Sequence, residues 1–341
     1  MENGISIVFR PYDLALRHPF GVAWGSRTRS PVVLTELTYK GVTGYGEASM
    51  PPYLGESVAS VTGFLSKVDL SRFTNPLEIN FIMDHVNSMA TGNMAAKASI
   101  DIALHDLAGK LTGMPVWQML GMDRSATPYS SMTIGIDSQD VVKKKVAEAA
   151  GFRILKVKLG AGNDREMINA VRAVSDKPLI ADANQGWRDR DYALDTIEWL
   201  KEQNVILVEQ PMPDVMEKDL GWLISRSPLP VFADEGVRTI DDLERRAGFY
   251  DGINIKLMKC GGIVNALQMI RIARENNMKI LIGCMTETSC AVSAAAQLSP
   301  AADFADLDGN LLITNDCFHG MKLSDGRVTL DDLPGTGVKR L

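Results

Sequence analysis

The sequence has few of the residues that build disulfide frameworks or zinc sites. Its 341 residues include four cysteines and four histidines, and Cys260, Cys284, Cys290 and Cys317 show no paired CxxC spacing. This pattern argues against a zinc ribbon and favours a reducing cytoplasm over an oxidising compartment. Because histidines are so scarce, any metal site is expected to use oxygen ligands.

Aromatic residues and basic runs are scarce as well. Aromatic content is 6% and the formal net charge is -6, so we expect no nucleic-acid partner. No apolar stretch is long enough to cross a bilayer, and the first 16 residues include Glu2, Arg10 and Asp13, so neither a membrane partner nor a signal peptide is expected. A homo-oligomer is compatible with the sequence.

The first 122 residues mix extended and helical patterns. Residues 5–9 and 32–39 are predicted strands, and a period of about 3.6 residues between positions 95 and 107 predicts a helix that Gly113 and Pro115 end. We therefore expect a separate α+β domain over residues 1–122.

The middle of the chain repeats one pattern: a short apolar run that ends in a polar residue, followed by an amphipathic stretch. Successive polar ends are 22 to 28 residues apart, which is the length of one βα unit. With a weaker first strand at 127–133, the pattern predicts an α/β fold with a closed (β/α)7β TIM-like barrel over residues 123–315. An open doubly wound sheet is the alternative, disfavoured because no GxGxxG follows the first strands. The polar ends are Lys156 with Lys158, then Asp182, Glu209, Asp234, Lys256, Cys284 and Asp306.

Three of these ends carry carboxylates on consecutive strands. In a barrel, Asp182, Glu209 and Asp234 would converge at one mouth, where like charges favour a compensating cation. Three oxygens on rigid strands with open positions suit Mg²⁺. The alternative is that each acid only caps the next helix.

The lysines suggest proton transfer. Lys156 and Lys158 are two apart on one strand and therefore share a face, while Lys256 ends a strand across the barrel. We expect Lys156 to stabilise charge on a substrate carboxylate, and Lys158 and Lys256 to remove and return the α-proton on opposite faces, which inverts the carbon. A surface strand with two solvated cations is the alternative.

A last pair of carboxylates ends the final strand. Asp306 and Asp308 are two residues apart and are expected to bind a cationic group such as an α-ammonium. A solvated turn before Gly309 is the alternative.

Several motifs resemble the enolase superfamily. KVK at 156–158, DANQGW at 182–187, EQP at 209–211, ADE at 233–235 and NIKLMKCGG at 254–262 resemble its muconate-lactonizing subgroup, which uses Mg²⁺. GCMTETS at 283–289 and DLD at 306–308 are similar to the L-Ala-D/L-Glu epimerase branch. The resemblance implies a cytoplasmic dipeptide epimerase of cell-wall peptide recycling, with Asp306 and Asp308 on the dipeptide ammonium. It also implies that Asn184 and Glu235 support the metal ligands and that Thr133, Tyr53 and Met285 contact substrate.

The same resemblance implies that residues 1–122 cap the barrel, with segment 316–341 returning to them, and that loops at 18–28 and 50–57 close over its mouth. Trp24 stands where some relatives carry an arginine for the distal glutamate carboxylate, and Arg27 or Arg29 is the expected substitute.

Two other functions are weighed. An o-succinylbenzoate synthase or cycloisomerase would use the same lysines, but the anionic pair Asp306 and Asp308 disfavours wholly anionic substrates. A non-catalytic binding barrel would keep the acids and lysines as internal salt bridges only.

Overall fold

The computed structural model describes residues 4–23 and 25–341. Its N-terminal part is an antiparallel sheet of three strands in the order β1-β2-β3, packed on the nearly fully buried helix α3. Gly44 and Gly46 allow this packing, because a Cβ at Gly46 would lie 1.9 Å from the backbone oxygen of Ser99 in α3. The elements are β1 (Ser6–Val22), β2 (Gly25–Tyr39), β3 (Val42–Ser49), α1 (Val58–Leu65), α2 (Ile79–Ser88), α3 (Met94–Thr112) and α4 (Val116–Met119).

The first hairpin differs from the prediction. Both predicted strands are too short, and much of the expected loop at 18–28 consists of the paired ends of β1 and β2, where Phe20 lies opposite Arg27. The register shifts between Ala15 and Phe20. Most side chains of β1 are exposed or half-buried, so backbone pairing extends this strand where no apolar alternation marks it.

The rest of the chain confirms the predicted barrel. Eight parallel strands run in sequence order from β4 to β11, and a parallel bridge between Ser130 and Ala305 brings the first and last strands together. The strands are β4 (Ser131–Ile134), β5 (Ile154–Lys158), β6 (Leu179–Asp182), β7 (Val205–Glu209), β8 (Val231–Ala233), β9 (Gly252–Lys256), β10 (Lys279–Gly283) and β11 (Phe304–Asp306). The helices between them are α5 (Gln139–Glu148), α6 (Asp164–Arg172), α7 (Arg190–Glu202), α8 (Glu217–Ile224), α9 (Ile240–Arg246), α10 (Leu257–Cys260), α11 (Ile263–Glu275) and α12 (Ser289–Ala296).

The barrel interior is layered. Ile180, Leu207, Phe232 and Leu281 form one buried apolar cluster. Because strand side chains on one face recur every two residues, the position two further along carries the next inward side chain on each strand. On β6, β7 and at the end of β8 that side chain is a carboxylate. An apolar plug therefore supports a charged layer at the mouth.

The C-terminal segment contacts the N-terminal sheet. Arg340 forms a 2.5 Å ion pair with Glu36 of β2, and Phe318 packs edge-on against Tyr45 of β3 at 5.4 Å between ring centroids. Domain boundaries at 122/123 and 315/316 stay predictions. The strands here are β12 (Phe318–His319), β13 (Lys322–Ser324), β14 (Arg327–Thr329) and β15 (Lys339–Arg340). Among the described residues, no helix combines the length and apolar character that crossing a membrane requires.

Candidate active site

The barrel mouth and the N-terminal domain enclose a cavity of about 260 Å³. The barrel contributes its charged strand ends, and the N-terminal domain contributes the β1-β2 hairpin and the segment after β3. Predicted site residues that line it are Arg27, Tyr53, Thr133, Lys156, Lys158, Asn184, Asp234, Lys256, Met285, Asp306 and Asp308. Trp24 was predicted to bind substrate and lies outside the described residues.

The three predicted metal ligands lie together in the charged layer at the barrel mouth, which we call the floor of the cavity; of the three, Asp234 lines the cavity and the other two lie beneath its surface. Asp182, Glu209 and Asp234 each offer an oxygen within 4.8 Å of the other two, and all three side chains are buried. Asp182 and Glu209 end β6 and β7, whereas Asp234 follows β8 by one residue. The barrel therefore brings three residues that are distant in the sequence together into one cluster of oxygen ligands.

The predicted lysines pair with these acids. Lys158 Nζ lies 2.6 Å from Asp182 Oδ2, and Lys256 Nζ lies 2.7 Å from Asp234 Oδ2. Lys156 Nζ is within 3.1 Å of Asp182 and 2.8 Å of Glu209. Lys158 and Lys256 come from β5 and β9, with three strands between them, so each amine rests on its own carboxylate.

Burial and neighbouring charges shift the pKa values of this cluster in opposite directions. Burial alone would lower the pKa of Lys156, but the surrounding carboxylates raise it well above its ordinary value; for Lys256, Asp234 has the same effect. Burial would raise the pKa of Asp182, but Lys158 and Lys156 lower it to about 2. Burial and the charge of Asp182 raise the pKa of Glu209 to about 8. Glu209 is therefore the least compensated of the three acids.

The residues present fit a divalent cation. Three carboxylates supply hard oxygen ligands from rigid strands, as Mg²⁺ prefers. Glu209 Oε2 lies 2.8 Å from Lys156 Nζ but accepts no hydrogen bond within residues 4–23 and 25–341, so a buried ligand atom still lacks a directed partner. A cation here would offset the charge that raises the pKa of Glu209.

Asp306 and Asp308 line the same cavity but have different partners. Asp306 accepts hydrogen bonds from Lys156 at 2.8 Å and from the Ser131 hydroxyl at 2.7 Å. Asp308 lies beyond the end of β11, where its Oδ2 accepts the Thr133 N–H at 2.6 Å. Burial, together with Asp306, raises the pKa of Asp308 to about 6. Of the pair, Asp308 has no ion pair among the described residues.

Arg27 stands on the N-terminal side of the cavity. Its Nη2 donates to the Thr286 hydroxyl at 3.1 Å, its Nε is buried and finds no hydrogen-bond partner among the described residues, and burial lowers its pKa. Within residues 4–23 and 25–341 it forms no salt bridge. Arg29, the other expected substitute, is exposed and bonds Asp13 at 2.5 Å, so the structure does not bring it to the cavity. Tyr53 lies opposite, with its hydroxyl 3.5 Å from the Met285 sulfur.

Two predicted supporting residues lie beside the acids. Asn184 Nδ2 donates to Glu235 Oε1 at 3.2 Å, and burial with the charge of Asp234 raises the pKa of Glu235 to about 7. Asn184 and Gln210, which closely follow two of the acids, have φ values of 42° and 37°. Such left-handed backbone is strained in residues other than glycine and is typical of functional sites.

Sequence reasoning missed four residues of the site. Asn254 donates to Glu209 at 2.9 Å, and Ser131 donates to Asp306 at 2.7 Å. Gln210 accepts the Asp234 N–H at 3.0 Å. Lys259 binds Asp234 at 2.6 Å. The signal for Asn254 was its position two residues before Lys256, on the same face of β9.

Comparison with known families covers almost the whole chain. Residues 5–121 match the N-terminal domain of mandelate racemase / muconate lactonizing enzyme, and residues 140–340 match the enolase C-terminal domain-like family. The chain belongs to the mandelate racemase / muconate lactonizing enzyme family of the enolase superfamily. This membership confirms the predicted superfamily and the predicted capped barrel, and the epimerases among the relatives confirm the predicted isomerase class.

Several relatives within this family are epimerases. An L-Ala-D/L-Glu epimerase of Bacteroides thetaiotaomicron is 54% identical, over 99% of this chain and 88% of the relative. An L-Ala-D/L-amino acid epimerase of Pedosphaera parvula is 40% identical, over 97% of both chains. A dipeptide epimerase of Enterococcus faecalis, solved with Mg and L-Leu-L-Tyr, superposes with a TM-score of 0.91 at 30% identity, covering 99% of this chain and 100% of that one.

Proposed function

We propose that the chain is a dipeptide epimerase that inverts the α-carbon of the C-terminal residue of a dipeptide. The observation that carries this proposal is the placement of Lys158 and Lys256 in one cavity, on strands separated by three others, each against its own carboxylate. Two amines on opposite sides of a bound carbon are what a 1,1-proton transfer needs.

The chemistry follows from these positions. The Nζ of one lysine, in its neutral form, takes the α-proton, and the ammonium of the other donates a proton to the opposite face. Lys156, held by three carboxylates, remains charged beside the substrate carboxylate. Mg²⁺, held by Asp182, Glu209 and Asp234, would supply Lewis-acid stabilisation of the developing charge. The magnesium in the solved Enterococcus faecalis relative supports this choice of ion.

The substrate ammonium is assigned to Asp308 with Asp306. Asp308 is buried in the cavity wall without an ion pair among the described residues, and its raised pKa shows that burial disfavours its charge. A cation beside it would relieve that cost. The same acidic pair disfavours the wholly anionic substrates of an o-succinylbenzoate synthase or a cycloisomerase.

Arg27 points to an acidic residue at the position that is inverted. This guanidinium lines the cavity, and its buried Nε has no partner in the part of the chain that the structure describes. It gains most from a carboxylate, which it can bind through two parallel hydrogen bonds. Thr133, Tyr53 and Met285 complete the wall around the dipeptide. The relative named L-Ala-D/L-Glu epimerase supports Ala-Glu as the substrate.

We further propose a cytoplasmic enzyme of cell-wall peptide recycling that does not bind nucleic acid and that can assemble as a homo-oligomer. Its four free thiols fit a reducing compartment. Size-exclusion chromatography with light scattering tests the assembly, and detection of the protein in a periplasmic fraction would contradict the location.

A dipeptide library in deuterium oxide tests the function. The purified protein with MgCl2 is incubated with L,L-dipeptides, and mass spectrometry follows deuterium at the α-carbon of the second residue. We expect label and inversion in Ala-Glu, and loss of both after chelation. A non-catalytic binding barrel would leave every dipeptide unlabelled, and a cycloisomerase or synthase would turn over only anionic non-peptide substrates.

A further inference from the structure

A fourth buried lysine lies beneath the candidate active site, and the proposed proton transfer does not use it. Lys259 belongs to α10, the one-turn helix that starts directly after Lys256. Its side chain is 1% exposed and does not line the cavity. It therefore touches no substrate and acts only through its neighbours.

The contacts of Lys259 converge on Asp234. Its Nζ lies 2.6 Å from Asp234 Oδ1 and 2.7 Å from the Asp234 backbone oxygen. The Asn254 backbone oxygen accepts at 2.7 Å. An ammonium has three donors, so these short bonds use its full capacity and fix its direction. Lys259 thereby ties the end of β8 to β9.

Lys256 and Lys259 bond the two oxygens of one carboxylate. They are three residues apart, Lys256 bonds Asp234 Oδ2 at 2.7 Å, and Lys259 bonds the other oxygen, Oδ1. With Oδ1 held, the carboxylate cannot rotate about its Cβ–Cγ bond without breaking a charge-assisted hydrogen bond. The position of Oδ2, against which Lys256 rests, is fixed as a result.

The carboxylate beneath the opposite lysine is held differently. Asp182 Oδ2 receives Lys158 at 2.6 Å and also lies 3.1 Å from Lys156 Nζ, whereas among the described residues its Oδ1 accepts only the backbone N–H of Asn184, at 3.0 Å. No lysine holds that second oxygen among the described residues. The two sides of the site are therefore built unequally.

The helix that carries Lys259 is itself fixed from the N-terminal domain. Gly262 has a φ of 120°, and a Cβ there would lie 2.5 Å from the side chain of Asp101 in α3. Asp101 Oδ1 accepts the Ile263 N–H at 2.6 Å. This close approach anchors the α10-α11 junction, so Lys259 is presented from a rigid support.

We propose that Lys259 is a positioning residue that orients Asp234 and so sets the place of Lys256 on one face of the substrate. The inference rests on the proposed epimerase function. It predicts that loss of Lys259 slows proton transfer at the Lys256 face far more than at the Lys158 face, because a misplacement of about 1 Å can cost on the order of a hundredfold in rate.

The test uses Lys259→Met and measures α-proton exchange of L-Ala-L-Glu and L-Ala-D-Glu separately, by NMR in deuterium oxide with saturating MgCl2. Lys158→Ala and Lys256→Ala establish which epimer each lysine deprotonates. We expect Lys259→Met to slow the Lys256 epimer at least about tenfold more than the other. Equal slowing of both epimers, or no slowing, would overturn the proposal.

Lys97→Met is the matched control, because Lys97 is a buried lysine that bonds backbone oxygens, with Ala90 at 2.6 Å. It should leave the ratio of the two exchange rates unchanged. If Lys259→Met does not fold, Lys259→Gln is measured with the same expectation and the same overturning result.

A second readout separates this inference from the proposed function. Mn²⁺ affinity, measured by electron paramagnetic resonance, should fall about tenfold in Lys259→Met. A loss of this size is typical when a residue that orients a metal ligand, here Asp234, is removed. If the parent protein exchanges neither epimer, the epimerase proposal fails, and Mn²⁺ affinity alone decides: unchanged affinity overturns the positioning of Asp234 by Lys259.

Discussion

The charged groups on the floor of the cavity have ion-pair partners, whereas those on its wall do not among the described residues. On the floor, Lys158 and Lys256 each rest on a carboxylate within 2.7 Å, so both amines have partners fixed at the ends of barrel strands. On the wall, Arg27 and Asp308 carry charges that face the cavity without an ion pair among the described residues. Paired charges suit the proposed proton transfer, whereas unpaired ones are available to a substrate and, on the proposed function, select which substrate binds.

The largest effect is expected on the floor, from Asp182→Asn. This substitution removes one proposed metal ligand, which is also the ion-pair partner of Lys158, so kcat should fall about a hundredfold to a thousandfold. That is the range for removing one group that stabilises developing charge. Steady-state epimerisation and Mn²⁺ titration measure the loss. Asp195→Asn, at an exposed position of α7, is the control. Parent kcat in Asp182→Asn would contradict a catalytic floor.

The next effect is expected at Asp308, where wall and floor meet. Asp308→Asn removes the charge proposed to bind the substrate ammonium, and KM should rise about tenfold to a hundredfold because hydrogen bonds to charged groups contribute about 1.5–3 kcal/mol.

The pH profile sharpens this prediction. Because the pKa of Asp308 is raised to about 6, the carboxylate forms as pH rises through 6, and kcat/KM of the parent should rise over that range. In Asp308→Asn this rise of kcat/KM should be absent, and it should persist in the exposed control Asp332→Asn. An unchanged rise in Asp308→Asn would show that Asp308 does not bind the substrate.

Arg27→Ala is expected to change substrate selectivity more than it changes the rate. The ratio of turnover for Ala-Glu to that for Ala-Leu should fall about tenfold or more, since a charge-assisted contact is lost for one substrate only. Arg29→Ala is the matched control, because Arg29 pairs with Asp13 away from the cavity. If both variants keep the parent ratio, Arg27 does not select the acidic side chain.

The smallest effect is expected behind the wall, at Glu287. This buried carboxyl has its pKa raised to about 8, by burial first and then by Glu47. A raised pKa means that the folded state holds the proton more tightly than the unfolded state, so stability falls as pH rises from about 4.5 to 8.

Glu287→Gln removes this titration. Its Tm should exceed that of the parent by a few degrees near pH 8, with a smaller difference near pH 5, where the parent carboxyl is protonated. Differential scanning calorimetry across this range measures it, with exposed Glu244→Gln as the control. A Tm difference that does not depend on pH would exclude Glu287 as the titrating group.

The floor could be predicted from the sequence, because it depends on strand ends. Regular spacing and the period of two along a strand suffice to bring Asp182, Glu209 and Asp234 together and to place Lys156 beside Lys158. Lys259 was missed because its role depends on a one-turn helix and on backbone oxygens from two segments, the stretch after β8 and strand β9, which no periodic pattern reveals.

The wall could be predicted only in part. The β1-β2 hairpin continues past its predicted strands through backbone pairing of mostly exposed residues, so hydrophobic periodicity gives no signal there. Arg27 and Arg29 are equivalent candidates in the sequence; the structure separates them because only Arg27 lines the cavity.

The crossed exchange experiment tests the central claim most directly. Each α-epimer of Ala-Glu is incubated in deuterium oxide with Lys158→Ala or Lys256→Ala, and NMR follows loss of the α-proton signal. The account predicts that each variant fails to epimerise yet still exchanges one epimer, and that the two variants retain opposite epimers. Retention of the same epimer by both variants, or epimerisation by either at the parent rate, would contradict the two opposed bases.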